Sequence, residues 1–323
     1  MSLLDVRDLH IDFATEKGLL HAVRGVDFVL EEGEVLGIVG ESGSGKSVTA
    51  HSTMRLLPPN AQYAAGDVLY RGESVFGYGY ERLRGFRGRE IGVIFQEPGR
   101  SFDPIYSIGK TMAETIRAHE PELTDEEIHE KSIRLLQETN VPFPEDRLSN
   151  FPHQFSGGLL QRIMIALALA SDPKVLIADE PTTSLDVTIQ AGIIDLLIRL
   201  KEERNLSIIF ITHNLALISG IADRIVVMYA GLVMEQGPTS EVLASPRHPY
   251  TRALLNSILD LGQHYTDTPI TAVAGTVPDP LSPDAGCPFA PRCPLAEAAC
   301  REAIPSFMQD GHLHRCRFPG VKE

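Results

Sequence analysis

One short stretch has the composition of a phosphate-binding loop. The segment GESGSGKS, residues 40–47, follows an apolar run and fits the pattern Gly-x-x-x-x-Gly-Lys-Ser. Gly43 and Gly45 let the backbone curl so that its N–H groups face a phosphate, while Lys46 supplies a positive charge and Ser47 can bind magnesium. The residues that we expect to contact a nucleotide here are Gly40, Ser42, Gly43, Ser44, Gly45, Lys46, Ser47 and Val48.

A second apolar run ends in two adjacent carboxylates. The segment KVLIADE, residues 174–180, closes on Asp179 and Glu180. Charged groups at the end of a buried strand lower the stability of the fold unless they pair with an opposite charge or bind a ligand. We therefore expect Asp179 to hold or orient magnesium and Glu180 to polarise the attacking water as a general base. The alternative is a solvated strand end without a catalytic role.

Two further polar residues follow apolar runs of the same kind. Gln96 ends the segment IGVIFQ, and His213 ends the segment LSIIFITH. Gln96 can sense magnesium and the attacking water, and His213 can donate to a γ-phosphate. A lone histidine after an apolar strand is more often structural than catalytic. A catalytic role for Gln96 and His213 therefore depends on their lying at the same sheet edge as the phosphate loop and the two carboxylates.

The elements that must position these residues are short strands. The runs EVLGIVG, IGVIFQ, KVLIADE and LSIIFITH are apolar almost throughout, which is typical of parallel strands covered on both faces. In an open α/β sheet, ligands bind at the carboxyl edge of the strands. We therefore expect an α/β fold in which the four strand ends meet at one crevice.

The composition limits the possible functions. The chain has 323 residues, enough for about two domains, and its formal net charge is -14. That charge repels a phosphate backbone, so we expect no nucleic-acid partner. Asp5, Arg7 and Asp8 interrupt the apolar N-terminus, which therefore lacks the core of a secretory signal. The apolar segment 206–222 is short and interrupted by polar residues, so we expect no membrane span and a cytoplasmic chain.

A serine and two glycines precede a segment with helical apolar periodicity. Ser156, Gly157 and Gly158 would stand at a helix N-terminus, where free N–H groups and the positive end of the dipole attract an anion. Taken alone, the serine is an ordinary N-cap. The preceding segment lacks strand character, and Thr124 with Glu127 forms a capping box, which predicts a helical region before this serine.

The order of these motifs resembles that of the ATP-binding subunits of ABC transporters, in particular the oligopeptide/dipeptide (peptide/nickel) importers. GESGSGKS, Gln96, FSGG, VLIADEP, SLD and ITH follow one another as in that family. The resemblance implies a P-loop NTPase fold with a RecA-like parallel-sheet core, an antiparallel β subdomain and a helical subdomain at about residues 97–170. It divides the chain into a nucleotide-binding domain, residues 1–245, and a small loop-rich C-terminal extension with a cysteine cluster, residues 246–323.

The resemblance also implies a role for each site residue. In this family two subunits dimerise head to tail, and each ATP lies between the Gly-Lys-Ser loop of one chain and the Ser-Gly-Gly helix of the other. Ser156, Gly157 and Gly158 would then serve the partner's ATP, and the segment from Ser184 to Asp186 would cross the dimer seam. Phe13 would stack on adenine. The implied catalytic residues are Glu180, His213 and Gln96, and the implied magnesium ligands are Ser47, Gln96 and Asp179.

Two positions depart from the family pattern. Phe155 and Leu159 replace the outer residues of the usual Leu-Ser-Gly-Gly-Gln or Leu-Ser-Gly-Gly-Met signature, although Ser-Gly-Gly itself is intact. Asn214 stands where an aspartate usually follows the histidine. The second change puts the hydrogen bonding around His213 in question.

All cysteines of the chain lie close together near the C-terminus. Their spacing, Cys-x5-Cys-x6-Cys-x15-Cys, matches neither a zinc ribbon nor a ferredoxin run, so it leaves the metal open. Clustered thiols in a cytoplasmic chain indicate a soft-metal site rather than disulfides. HPYT, GCPFAPRCPLAEAAC and HRC resemble the C-terminal extension of the peptide importer ATPases, which implies a 4Fe-4S cluster, with zinc and unligated thiols as alternatives and His314 as a neighbour. The implied ligands are Cys287, Cys293, Cys300 and Cys316.

By resemblance, the chain is an ATPase that drives uptake of di- or oligopeptides. Its partners would be a paralogous ATPase in a heterodimer, with a homodimer as the alternative, two membrane permease subunits and, indirectly, an extracytoplasmic substrate-binding protein. The chain would lie peripherally on the cytoplasmic face of the inner or plasma membrane. The alternatives are uptake of nickel, a sugar or an opine, a non-transport ABC ATPase acting on DNA or the ribosome, and a redox-regulated nucleotide-binding protein. The non-transport alternative would require a coiled-coil arm or a basic linker, and the sequence has neither.

Overall fold

The computed structural model describes residues 2–183, 185–257, 275–283, 285–309 and 311–319. Ser184, which the sequence predicts at the dimer seam, lies outside these residues. The strands of the described chain are β1 Ser2–Thr15, β2 Gly18–Glu31, β3 Val35–Val39, β4 Ala61–Tyr70, β5 Glu73–Ser74, β6 Ile91–Ile94, β7 Val175–Asp179, β8 Ser207–Thr212, β9 Arg224–Tyr229, β10 Leu232–Pro238, β11 Phe307–Gln309 and β12 His312–His314.

The helices lie between and after these strands, with five of them in succession between β6 and β7. They are α1 Lys46–Ser52, α2 Tyr80–Arg89, α3 Pro98–Ser101, α4 Ile108–His119, α5 Asp125–Glu138, α6 Pro144–Arg147, α7 Gly157–Ala168, α8 Val187–Arg204, α9 Leu215–Ser219, α10 Thr239–Ala244 and α11 Pro249–Asn256. None of the helices in the described ranges is both long enough and apolar enough to cross a membrane.

The chain forms two compact units. The first combines the chain up to residue 76 with the chain from residue 210 onwards, and the second contains residues 77–209. The boundary falls inside β8, whose residues are all buried.

The first unit contains an antiparallel sheet and a second set of paired strands. The antiparallel sheet has the order β2-β1-β4-β5, with Leu4 of β1 opposite Leu30 of β2 and Tyr70 of β4. In the second set, β3 pairs parallel with β9, β9 forms an antiparallel hairpin with β10, and β12 pairs with both β10 and β11. Every residue of β3 is buried, so the loop that follows this strand starts from a fixed point.

The second unit contains a parallel strand pair and a run of helices. Strands β6 and β7 pair parallel, with Ile91 opposite Val175, and helices α3 to α7 lie between them in the chain. At the start of α5, Thr124 and Glu127 form the predicted capping box, which confirms that helix start. The four apolar runs of the sequence correspond to β3, β6, β7 and β8, which confirms them as strands.

Candidate nucleotide-binding site and C-terminal thiol cluster

The loop of residues 40–47 follows β3 and leads into α1. Gly45 occupies the N-cap position of α1 with φ 99°, and Gly43 has φ 76°. Both values lie in the left-handed region, which favours glycine because it has no Cβ. A Cβ added at Gly45 would also lie 2.7 Å from the carbonyl oxygen of Ala22. The glycines at these positions are therefore needed for the loop conformation itself.

The polar groups of this loop are ordered around Lys46. Lys46 is 5% exposed, and its Nζ donates to the carbonyl oxygens of Gly40 at 2.8 Å and Glu41 at 2.9 Å. Ser44 is also buried, and its Oγ has no hydrogen-bond partner among the described residues. A buried ammonium and a buried hydroxyl that can still accept or donate a bond suit an anionic ligand such as a phosphate.

A cavity of about 410 Å³ adjoins the loop within the first unit. This volume lies within the usual range for small-molecule sites. Its wall includes Phe13 of β1 together with Gly43, Gly45 and Val48, so the structure brings the aromatic residue and the loop to one cavity. Residues 277–280 and Pro283 supply another part of the wall. Ser42 at the loop tip is exposed, whereas Ser47 in α1 is half-buried.

His213 lies at the end of β8 and is exposed. The following residue, Asn214, is the N-cap of α9, and its side chain accepts from the N–H of Ala216 at 3.0 Å. The N–H of Asn214 donates to Oγ1 of Thr212 at 3.0 Å. Asparagine and aspartate are equally good N-caps, so the departure from the family pattern preserves the local hydrogen bonding beside the histidine.

In the second unit, the end of β7 brings Gln96 and Glu180 together. Asp179 is the last residue of β7 and is 3% exposed, and Glu180 follows it with φ 45°. Nε2 of Gln96 donates to Oε2 of Glu180 at 3.0 Å, and Oγ1 of Thr183 donates to the same oxygen at 2.8 Å. Sequence reasoning missed Thr183, for which the only signal is a hydroxyl three residues after the glutamate. The two donors hold the Glu180 carboxylate in one orientation.

Ser156 occupies the N-cap position of α7, but its side chain makes no capping hydrogen bond. Ser156 and Gly157 are exposed, and a Cβ added at Gly158 would lie 2.7 Å from Cγ2 of Ile189. Asp186 caps α8 by accepting from the N–H of Ile189 at 3.0 Å. The first turn of α7 therefore presents backbone N–H groups that the serine hydroxyl leaves uncapped.

The four cysteines all line one small cavity in the first unit. The cavity takes about 20 Å³, room for about one water molecule. The N–H of Cys287 donates to the carbonyl oxygen of Cys300 at 2.7 Å, and burial raises the pKa of the Cys287 thiol to about 11. No three His, Cys, Asp or Glu side chains of the described chain converge enough to hold a metal ion. His314 packs against the ring of Phe307 instead of lining this cavity.

Comparisons with known proteins identify the family. Residues 23–183 match the family model described as ABC transporter, and residues 234–300 match the model described as oligopeptide/dipeptide transporter, C-terminal region. The probable peptide ABC transporter ATP-binding protein y4tR of Sinorhizobium fredii is 44% identical, over 97% of this chain and 94% of that protein. The chain belongs to the ATP-binding proteins of the ABC transporter family.

Other members of the ABC family extend this comparison. The oligopeptide transport ATP-binding protein OppD of Bacillus subtilis is 44% identical over 97% of this chain and 87% of that protein, and the dipeptide transport protein DppD of the same organism is 42% identical over 97% and 94%. The ABC cassette MJ0796, solved as a dimer bound to ADP and Pi, has a TM-score of 0.65 at 25% identity and covers 73% of this chain and 98% of its own. The predicted α/β P-loop fold is confirmed, and the chain is an ATPase coupled to transport that uses ATP and magnesium.

Proposed function

We propose that this ABC ATPase powers the import of di- or oligopeptides. The observation that carries the proposal is the C-terminal region, residues 234–300, which matches the oligopeptide/dipeptide transporter model. Relatives that align over nearly the whole chain carry the names of peptide import and of oligopeptide and dipeptide transport proteins. The ATPase does not bind the cargo in this scheme, so the cargo is inferred from the family and not from a substrate pocket.

The proposed chemistry is an in-line attack of water on the γ-phosphorus of ATP. Glu180 orients and deprotonates the water, and its contacts with Gln96 and Thr183 support this role because they fix the carboxylate. Lys46 leaves its carbonyl partners for the phosphates, and His213 donates to the γ-phosphate. Phe13 stacks on adenine, and the loop contacts are Gly40, Ser42, Gly43, Ser44, Gly45, Ser47 and Val48.

Magnesium, when bound, neutralises the charge that develops on the phosphate oxygens. We propose that Ser47 and Asp179 bind or orient this ion and that Gln96 senses it. The oxygen chemistry of these side chains suits magnesium, which prefers oxygen ligands. Asp179 is the buried last residue of β7, and ligands bind at the carboxyl ends of strands in open α/β sheets.

We further propose that the working form is a head-to-tail dimer with a paralogous ATPase. Ser156, Gly157 and Gly158 would contact the partner's ATP, as would Asp186, and the uncapped first turn of α7 supports this assignment. Val187, directly after Asp186, is 81% exposed, which suits a residue at a seam between chains. Two permease subunits would anchor the dimer on the cytoplasmic face of the membrane, and an extracytoplasmic protein would deliver the peptide.

For the thiols we propose a 4Fe-4S cluster with a structural role. All four potential ligands are cysteine sulfurs that line one cavity, which is the donor set that such clusters use. Zinc stays the alternative: it requires four ligands converging on one ion, so the loops that carry the thiols would have to move for zinc as well. A cluster would require the loops that carry the thiols to move apart. Anaerobic purification with iron and sulfide assays tests the proposal, and a folded, iron-free protein would refute it.

The decisive test of the cargo is peptide uptake by cells in which the gene for this chain has been deleted. Complementation with the wild-type chain should restore uptake of labelled di- and oligopeptides, whereas Glu180→Gln should fail because hydrolysis is blocked. Nickel salts serve as the alternative cargo in the same strains. Restored nickel uptake with no effect on peptides would refute the peptide assignment while leaving the ATPase assignment intact.

The dimer is tested separately with this chain purified together with the paralogous ATPase. Glu180→Gln should reduce ATP hydrolysis by about 10²–10⁴-fold, the usual contribution of a general base, and should trap an ATP-loaded dimer. Adding Ser156→Arg should dissolve that dimer, because a bulky cation would occupy the surface offered to the partner's phosphates. A monomer in both cases would contradict the head-to-tail arrangement.

A further inference from the structure

The C-terminal extension and the nucleotide loop are joined by an ion pair. Nη1 of Arg292 donates to Oε2 of Glu41 at 2.7 Å, and Nη2 donates to Oε1 at 3.0 Å. The Arg292 side chain is 5% exposed and that of Glu41 is 26% exposed. Glu41 is the second residue of the loop 40–47, and 251 positions separate the two residues in sequence. Bidentate pairs of this kind fix geometry as well as charge.

Aromatic side chains hold the guanidinium of Arg292 in place. Nη1 also donates to the hydroxyl of Tyr229 at 3.0 Å, and the guanidinium lies 5.6 Å from the ring centroid of Tyr229 and 5.9 Å from that of Phe289. The hydrogen bond to Glu41 raises the pKa of Arg292 above its ordinary value, so the side chain stays charged. Because the arginine is packed on several sides, it acts as a fixed anchor and not as a mobile surface charge.

Every polar group of Glu41 has a partner in the first unit. Its N–H donates to the hydroxyl of the buried Tyr250 at 2.9 Å, and its carboxylate accepts from Arg292. Its carbonyl oxygen accepts from Nζ of Lys46 at 2.9 Å. The position of Glu41 therefore sets the resting position of the lysine that binds phosphates.

The same short turn connects this anchor to the thiol-lined cavity. Arg292 ends the 3₁₀ turn Ala290–Arg292, and Cys293 follows it directly. Phe289 and Ala290 line the cavity together with the cysteines, while Phe289 also packs against Tyr229 and Tyr250. A displacement of this turn would move Arg292 as well.

The extension meets the nucleotide cavity at a second place. Residues 277–280 and Pro283 form part of the cavity wall that includes Phe13, and the N–H of His21 donates to the carbonyl oxygen of Pro280 at 3.0 Å. This contact is independent of the Arg292 pair and lies on the side of the cavity occupied by the aromatic residue.

We propose that the C-terminal extension is a structural part of the ATP site and that Arg292 is a positioning residue which, through Glu41, holds the phosphate-binding loop and Lys46. The proposal rests on ATP binding, which the family assigns, and is independent of the cargo and of what the thiols bind. Removing the pair leaves the loop free to relax, so more binding energy must be used to order it when ATP arrives.

The test is a double-mutant cycle with the full-length chain. Arg292→Gln and Glu41→Gln should each weaken MgATP binding by about tenfold, measured by calorimetry, and the double variant should bind no more weakly than either single one. In the transporter complex, KM for ATP should rise in parallel while kcat changes by less than about twofold, because bound ATP reorders the loop. Arg292→Lys should fall between wild type and Arg292→Gln, since it keeps the charge but not the bidentate contact.

Arg301→Gln is the matched control, because Arg301 is an exposed arginine of the same extension. It should leave ATP affinity and kinetics unchanged. If Arg292→Gln lowers only the melting temperature and leaves affinity unchanged, or if the two single effects add in the double variant, the proposal is wrong. Should Arg292→Gln fail to fold, Glu41→Gln removes the same pair from the loop side, and unchanged affinity in that variant would equally overturn the proposal.

Discussion

The nucleotide loop and the C-terminal extension are held in shape by different means. The loop 40–47 takes its form from backbone conformations that Gly43 and Gly45 supply within the segment itself. Beyond α11, the described part of the extension contains only 3₁₀ turns and two strands of three residues, β11 and β12. It depends instead on buried side chains that contact β9 and β10. Except at Arg292, a change in the extension should therefore act on stability first, and a change in the loop should act on ATP binding first.

The main anchor of the extension is Glu235 of β10, which is fully buried. It accepts from the N–H groups of Arg247 at 2.6 Å and His248 at 3.0 Å, and its Oε1 lies 2.7 Å from Nε2 of His312 in β12. Burial opposes the charged form, but the hydrogen bond from His312 and the other donors outweigh it and lower the pKa of Glu235. One carboxylate thus ties together β10, the start of α11 and the C-terminal strands.

The largest effect should come from removing this anchor. Glu235→Ala leaves several buried donors without an acceptor, so we expect the free energy of unfolding to fall by about 3–5 kcal/mol. Chemical denaturation measures the loss, and limited proteolysis should cut within residues 285–319 first. The control is Glu32→Gln, which removes a pair with Arg71 whose side chains are both more than half exposed. The control should cost less than about 1 kcal/mol, and an equal loss in both variants would show that Glu235 does not anchor the extension.

A variant in the nucleotide loop should affect ATP binding more than it affects stability. Gly45→Ala places a Cβ 2.7 Å from the Ala22 carbonyl at φ 99°, so we expect ATP affinity to fall by more than about tenfold and stability by about 2–3 kcal/mol.

Gly43→Ala is the matched control for this variant. It has φ 76° but no atom within 4 Å of the added Cβ, so only the backbone cost of about 1–2 kcal/mol applies. Nucleotide titration and thermal unfolding of both variants provide the comparison. Equal losses of affinity would show that the close approach to Ala22 does not control the loop.

The extension should also make stability depend on pH. His248 is 1% exposed, and burial lowers its pKa to about 4 in the folded state, while Glu235 opposes this shift and His314 and Arg252 reinforce it. The unfolded state therefore takes up a proton first as the pH falls below about 6.5, and stability is lost by up to about 1.4 kcal/mol per pH unit between about 6.5 and 4. Unfolding free energies of wild type and His248→Gln at pH 7.5, 6 and 5 measure the effect. The variant should be less stable at pH 7.5 but should lose less stability on acidification, and parallel curves would contradict the assignment.

The smallest effect should come from the second contact to Glu41. Tyr250→Phe keeps the ring packed between Tyr229 and Phe289 but removes the acceptor for the Glu41 N–H. We expect a cost of about 1 kcal/mol, the usual value of one hydrogen bond, and a loss of ATP affinity of less than about fivefold. Calorimetry of nucleotide binding checks this. A loss larger than that of Arg292→Gln would mean that the tyrosine, and not the ion pair, holds the loop.

Local patterns in the sequence determined the strands, the phosphate loop and the carboxylate pair. Each depends on residues a few positions apart: the continuous apolar run of β7 ends in Asp179 and Glu180, and the glycines of the loop act on their own backbone. The sequence left the role of Asn214 open. It shows that Asn214 stands where an aspartate is usual, but only the structure shows that the Asn214 side chain caps α9.

Only the tertiary structure decided which distant groups meet. The pairing of Arg292 with Glu41 requires that the extension pack beside β9, whose Tyr229 receives the same guanidinium. Nothing in the sequence around Arg292 distinguishes it from the exposed Arg301. The physical reason is that an ion pair between distant residues forms only where the folded chain brings the two groups together and shields them from water. A left-handed glycine or an apolar strand depends instead on the backbone and side chains of the segment itself.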